Sequence, residues 1–221
     1  MNIVKYFVTD IMPYMTAAIF VLGFYRKIRK WAKSPRNLHW ELFPYPQSNV
    51  EQIGELIVEV VVLHRLFLHN RKIWLPSLAM HWGVYHGLIG LLLLTAGLPW
   101  AVLFGFAGAV LLTLGALGLI IVRLSYKELR YISAPQEYIQ LGLLAAIGLT
   151  TLNSNILAQY LVLKNYIRGL ITFNPDAAID STMFLPLLLL QIFILYMPFS
   201  KMGHFAAKYF TYHKVKWGEP Q

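Results

Sequence analysis

From Pro99 to Val122 the chain carries no charged side chain. An α-helix crosses the hydrocarbon core of a bilayer with roughly 20 mostly apolar residues. Backbone groups at that depth must bond to one another, so such a run has little choice but to be helical. Five stretches qualify, over about 7–25, 73–97, 99–122, 138–163 and 182–200, and the last is expected to continue as helix towards 213. Turn signals at Gly97-Leu98-Pro99 and Ser133-Ala134-Pro135 separate the middle ones. The expected fold is an all-α integral membrane protein. It is a five-transmembrane-helix bundle with an additional cytoplasmic amphipathic helix, and residues 1–221 form a single domain.

Composition agrees. Hydrophobic residues make up 57% and charged residues 13%, against about 25% charged in soluble domains. The first apolar run lacks a basic leader and a small-residue cleavage site, so it is expected to remain as a helix. Cysteine is absent, which excludes disulfides, thiolate metal sites, cysteine-held iron–sulfur clusters and covalently attached haem. The amphipathic helix is expected over 53–70, where Glu55, Glu59, His64 and Arg65 interrupt an otherwise apolar run.

The net charge of +9 reports topology rather than a nucleic-acid partner. All of the 19 basic residues except Lys5, Lys164 and Arg168 fall on one side of the five-helix arrangement. The positive-inside rule makes that side cytoplasmic. The N-terminus is then outside and the C-terminus inside.

Of seven histidines, His39, His64, His69 and His213 lie among charged or interfacial residues, where a solvated imidazole is the simple reading. His81 and His86 lie within a span, where an ionisable group is costly and raises a functional hypothesis. His81 falls about 12 Å along its helix from Ile73, and His204 about 33 Å from Thr182 on a helix of opposite direction. The two histidines therefore share the inner part of the bundle. Histidines from different helices at similar depth can ligate one haem iron from opposite faces, or they can act as polar glue between helices. His86 is about 7.5 Å and roughly 140° from His81. It suits a hydrogen-bonding neighbour of a haem, or an alternative ligand.

Four segments resemble one family. "DIMPYMTAAIFVLGFYRK" (10–27), "SLAMHWG" (77–83), "YIRGLITFNPD" (166–176) and "MPFSKMGH" (197–204) are similar, in order, to parts of the respiratory nitrate reductase gamma subunit, a five-helix membrane cytochrome b. The insertion "VLHRLFLHNRKIWL" (62–75) resembles the branch paired with heterodisulfide-reductase-like iron–sulfur proteins. An example is the cytochrome b subunit of the high-molecular-weight cytochrome c complex of sulfate reducers. The resemblance implies an inner haem b ligated by His81 and His204. Leu91 and Pro186 stand where the outer haem's ligands would be, and neither can bind iron. One haem b is expected, with two if His86 finds a partner.

The family's quinone site adjoins its outer haem, so menaquinone binding here is open. Asn153, Ser154, Asn155 and Gln159 are the polar candidates for it, with helix packing as the alternative. The implied role is electron relay between a quinone pool, or periplasmic cytochrome and iron–sulfur partners, and a cytoplasmic iron–sulfur subunit. The chain would be a non-catalytic or quinol-oxidising subunit. It would assemble with other membrane subunits and, indirectly, with a periplasmic multihaem cytochrome c. The rival reading is a haem-free membrane anchor, with or without a quinone site. A transporter would call for paired intramembrane charges, and apart from Asp10 the spans carry no carboxylate.

Overall fold

The computed structural model describes residues 3–34, 46, 48–175 and 179–212. Every regular element among them is helical. Four helices are long and apolar enough to cross a membrane: α1 (Ile3–Ala32), α4 (Arg71–Thr95), α5 (Ala101–Ser125) and the run Ser181–Phe199, which contains α9 (Ser181–Tyr196). The chain is an all-α, multi-pass membrane protein. The remaining helices are α2 (Asn49–Val62), α3 (His64–His69), α6 (Lys127–Ile132), α7 (Pro135–Asn153), α8 (Tyr160–Ile171) and α10 (His204–Thr211).

Packing divides the chain into two compact units. One holds Met1–Pro13 and Val61–Phe193, the other Tyr14–Val60 and Ile194–Gln221.

The centre of the first unit is the pair α4 and α5, joined through the turn after Thr95. Gly97, at φ +75°, takes the left-handed conformation there, and the Leu98 amide bonds back to the Leu93 carbonyl at 2.9 Å. The two helices meet backbone to backbone along a glycine seam. A Cβ on Gly83 would stand 2.5 Å from the Leu112 nitrogen, and one on Gly108 would stand 3.0 Å from the Gly83 oxygen. Small residues permit this approach where lipid gives helices no hydrophobic reason to associate. Helix α7 also packs on α5, where a Cβ on Gly148 would stand 2.8 Å from the Ala109 oxygen. Arg123 Nη1 ties the two together, 2.7 Å from Glu137 Oε2 and 2.6 Å from Ser133 Oγ.

Residues 7–11 of α1 adopt π-helical geometry, which offsets the backbone ladder. Two carbonyls in this stretch take side-chain donors from late in the chain. Tyr166 donates its hydroxyl to the Thr9 oxygen at 2.8 Å, and Gln191 Nε2 donates to the Val8 oxygen at 3.0 Å. Tyr166 also centres an apolar cluster with Ile179 and Met183.

In the second unit, Phe24 packs on Phe205 with ring centroids 5.1 Å apart, and Trp31 on Phe210 at 5.9 Å. Lys27 Nζ donates to the Ser200 carbonyl at 3.0 Å. Lys208 pairs with Glu59 at 3.3 Å.

Three expected helices are broken. The stretch 138–163 is not one helix: α7 ends at Asn153, Asn155 turns left-handed at φ 52°, and α8 begins at Tyr160. Asn153, Ser154 and Asn155 favour local side-chain bonds over helix, and asparagine tolerates that conformation. The stretch 53–70 is broken at Leu63, also left-handed at φ 53°. Such a turn costs about 1–2 kcal/mol for a residue with a Cβ. Part of the compensation comes from two indoles, as Trp82 Nε1 donates to the Val61 oxygen at 3.0 Å and Trp74 Nε1 to the Val62 oxygen at 2.8 Å. Those carbonyls sit in the last turn of α2, where the helix offers no partner. Finally, the helix expected to run on towards 213 stops at Tyr196. Short 3₁₀ turns over Met197–Phe199 and Lys201–Gly203 flank an extended Ser200, and α10 starts at His204.

Candidate functional site

His81 sits on α4, one turn after Pro76 and beside the glycine seam. Its ring is half-buried, and Nδ1 lies 2.7 Å from the Ser77 carbonyl of the preceding turn. A carbonyl can only accept, so this bond places the proton on Nδ1. The lone pair is then on Nε2, at the far edge of the ring. A metal-ligating histidine is commonly oriented in this way. Tyr85 lies next to it on the same helix face, with ring centroids 6.4 Å apart.

His86 repeats the pattern. Its Nδ1 is 2.8 Å from the Trp82 carbonyl. The ring lies between Trp82 at 5.8 Å and Phe104 of α5 at 5.6 Å, nearly parallel to the latter. This aromatic slot orients His86, and the i, i+4 spacing of Trp82 and His86 was the available sequence signal for it. The two rings lean on separate neighbours, as the 140° offset requires.

His204 opens α10 in the second unit. Ser200 Oγ accepts the Met202 amide at 3.1 Å and so fixes the turn ahead of it. Nδ1 of His204 is 3.4 Å from the Lys201 carbonyl, a longer contact than the other two. Crowding by neighbouring atoms pushes the imidazole below its ordinary pKa, and the Lys208 charge adds to this. The Lys201 carbonyl opposes the shift. The side chain nevertheless keeps open surface. The result is a neutral imidazole over a wider pH range than a free one. His81 and His204 belong to different units.

His64 and His69 stand on the short α3, and His39 and His213 lie outside the described residues. Leu91 is exposed on α4, and Pro186 is buried inside α9.

The polar set near the α7–α8 break does not gather on one face. Asn153 and Asn155 are exposed, while Ser154 and Gln159 are buried. Both buried members are engaged within the chain. Ser154 donates to the Thr151 carbonyl at 2.6 Å, and Gln159 Nε2 donates to Asp180 Oδ2 at 3.1 Å. Asp180 in turn caps α9, its Oδ1 accepting the Thr182 amide at 3.1 Å. The Thr182 amide and then the Gln159 amide hold its carboxyl below the usual range.

No group of three or more His, Asp or Glu gathers among the described residues. A haem does not need one, because it brings four nitrogens and asks the protein only for axial ligands. The Nδ1-anchored imidazoles fit that request. No protein-family model matches the chain, and no curated protein matches it either.

Proposed function

We propose that this chain is a haem b-binding membrane subunit of an electron-transfer complex, with His81 and His204 as the axial ligands. The observation that carries the proposal is His81. An imidazole inside an apolar spanning helix is anchored through Nδ1, which puts its lone pair on Nε2. A bound haem b supplies one-electron iron chemistry. The protein's part is axial ligation, burial and control of ligand orientation. The pairing of His81 with His204 on one iron rests on the family resemblance. The fifth membrane crossing, through α7 and α8, rests on the apolar run over 138–163, and the cytoplasmic placing of the basic side, with the N-terminus outside, rests on the positive-inside rule. Iron–sulfur clusters would belong to a partner subunit, because this chain has no cysteine. Quinone exchange through Asn153, Ser154, Asn155 and Gln159 is the weaker part of the reading, since Ser154 and Gln159 already serve the local fold.

The test is haem per polypeptide in the purified protein, by the pyridine haemochrome method. About one b haem per chain is expected, the two-ligand case. His81→Ala and His204→Ala should each abolish it, and His86→Ala should keep it with an altered spectrum. A wild-type protein without haem would sink the proposal and leave the haem-free anchor. Loss of haem from the His86 variant alone would reassign the ligand.

A further inference from the structure

Helix α1 ends in a run of cations: Arg26, Lys27, Arg29, Lys30 and Lys33. They do not share one environment. At 100° per residue, Phe24, Lys27 and Trp31 form one face. That face is turned to the protein: Phe24 packs on Phe205, Lys27 donates to Ser200 and Trp31 meets Phe210. The opposite face carries Met15, Ile19, Leu22, Arg26, Arg29 and Lys33, spaced alternately by four and three residues. All six are exposed. The upper half of this stripe is apolar, the lower half is cationic, and the change falls within one turn. Leu22, Tyr25, Arg26, Arg29, Lys30 and Lys33 line one shallow open groove. Among the described residues no carboxylate pairs with any of its four cations.

We infer that this outer stripe is a binding track for an anionic phospholipid. Its phosphate would be clamped by Arg26, Arg29 and Lys33, with Lys30 at the side. Its acyl chain would run along Leu22, Ile19 and Met15. Helix α1 is long and apolar enough to span, so the point where its surface turns from apolar to cationic belongs at headgroup depth. Basic side chains near a membrane surface attract anionic lipid additively, each by about fivefold in affinity. Arginine adds planar, bidentate recognition of a phosphodiester. A soluble anion would use the cations but not the apolar track above them. The inference is independent of the haem reading.

Native mass spectrometry of the purified chain in detergent tests it, with phosphatidylglycerol and phosphatidylcholine of matched acyl chains. Wild type should retain phosphatidylglycerol in preference. Arg26→Gln/Arg29→Gln/Lys33→Gln should weaken that binding by on the order of 100-fold. The control Lys127→Gln/Arg130→Gln should not change it. Each of the three single variants should lose about fivefold, which keeps the test decisive if the triple variant fails to fold. Equal retention of the two lipids by wild type would overturn the inference. So would unchanged binding in every single variant, displacement of the lipid by inorganic phosphate alone, or a co-purifying protein on the stripe with lipid bound equally by wild type and variant.

Discussion

Replacing Gly83 by alanine tests the α4–α5 seam at one of its close backbone contacts. The new methyl would stand 2.5 Å from the Leu112 nitrogen, 2.8 Å from its Cα and 2.9 Å from the Gly108 oxygen. All three are backbone atoms, so no side chain can swing aside. Carbon atoms rest at about 3.5–4.0 Å from such neighbours, and the helices must separate by roughly 1 Å locally. Overpacking of this kind costs about 1–3 kcal/mol. Alanine also returns up to about 1 kcal/mol of helix propensity, which blurs the result for one variant. Gly87→Ala removes the ambiguity. It lies one turn further along α4 and its Cβ would meet nothing within 4 Å, so it gains the propensity without the clash. The difference between the two variants isolates the overpacking, with Gly83→Ala the less stable by about 1–3 kcal/mol. Reversible unfolding in mixed micelles, titrated with a denaturing detergent, measures both. Equal stability within about 0.5 kcal/mol would refute the close-packed seam. Gly83 lies between His81 and His86, so the same variant should also disturb the haem spectrum if the proposed ligation is right.

Two further perturbations probe the chain breaks. Trp74→Phe and Trp82→Phe keep most of the packing but remove the indole donors to Val62 and Val61. Each should cost about 1 kcal/mol and speed hydrogen exchange around Leu63 about fivefold, and unchanged exchange in both would dismiss the latch. Asp180 titrates below its unfolded value of about 3.9. Its stabilising contribution is therefore complete above that pH and is lost as pH falls through the lower folded value. Asp180→Asn should flatten this acid limb of the melting curve, and an unaltered limb would assign it elsewhere.

The spanning helices were legible because hydropathy over 20 residues is a strong signal and lipid leaves few alternatives. The breaks were less so. Asn153-Ser154-Asn155 is a run of poor helix formers, and the end of α7 could have been read there. Leu63 offers no such cue, since leucine has no leaning towards left-handed backbone; the turn accompanies indoles 11 and 19 residues further on. The glycines recur four and three apart in α4 and three, seven and three apart in α5, so each set lines one helix face, which is the mark of helices in backbone contact. At the candidate site, the place of His81 within a spanning helix was legible from hydropathy. The Nδ1 anchors were not, because any helical histidine can make or forgo that bond. The aromatic slot around His86 needed Phe104, which comes from another helix.

The π-helical stretch of α1 sets an order of assembly. Its carbonyls at Val8 and Thr9 are bonded by Gln191 and Tyr166, groups separated from them by 183 and 157 residues. A ribosome delivers α1 before these donors, and that order is strict. Until Tyr166 and Gln191 emerge, those two oxygens lack the side-chain donors they have in the finished fold, and a regular α-helix is the cheaper conformation for residues 7–11. A helix that enters the membrane ahead of its partners then reaches its final form only after they arrive. The offset turn becomes a mark that the rest of the first unit has arrived.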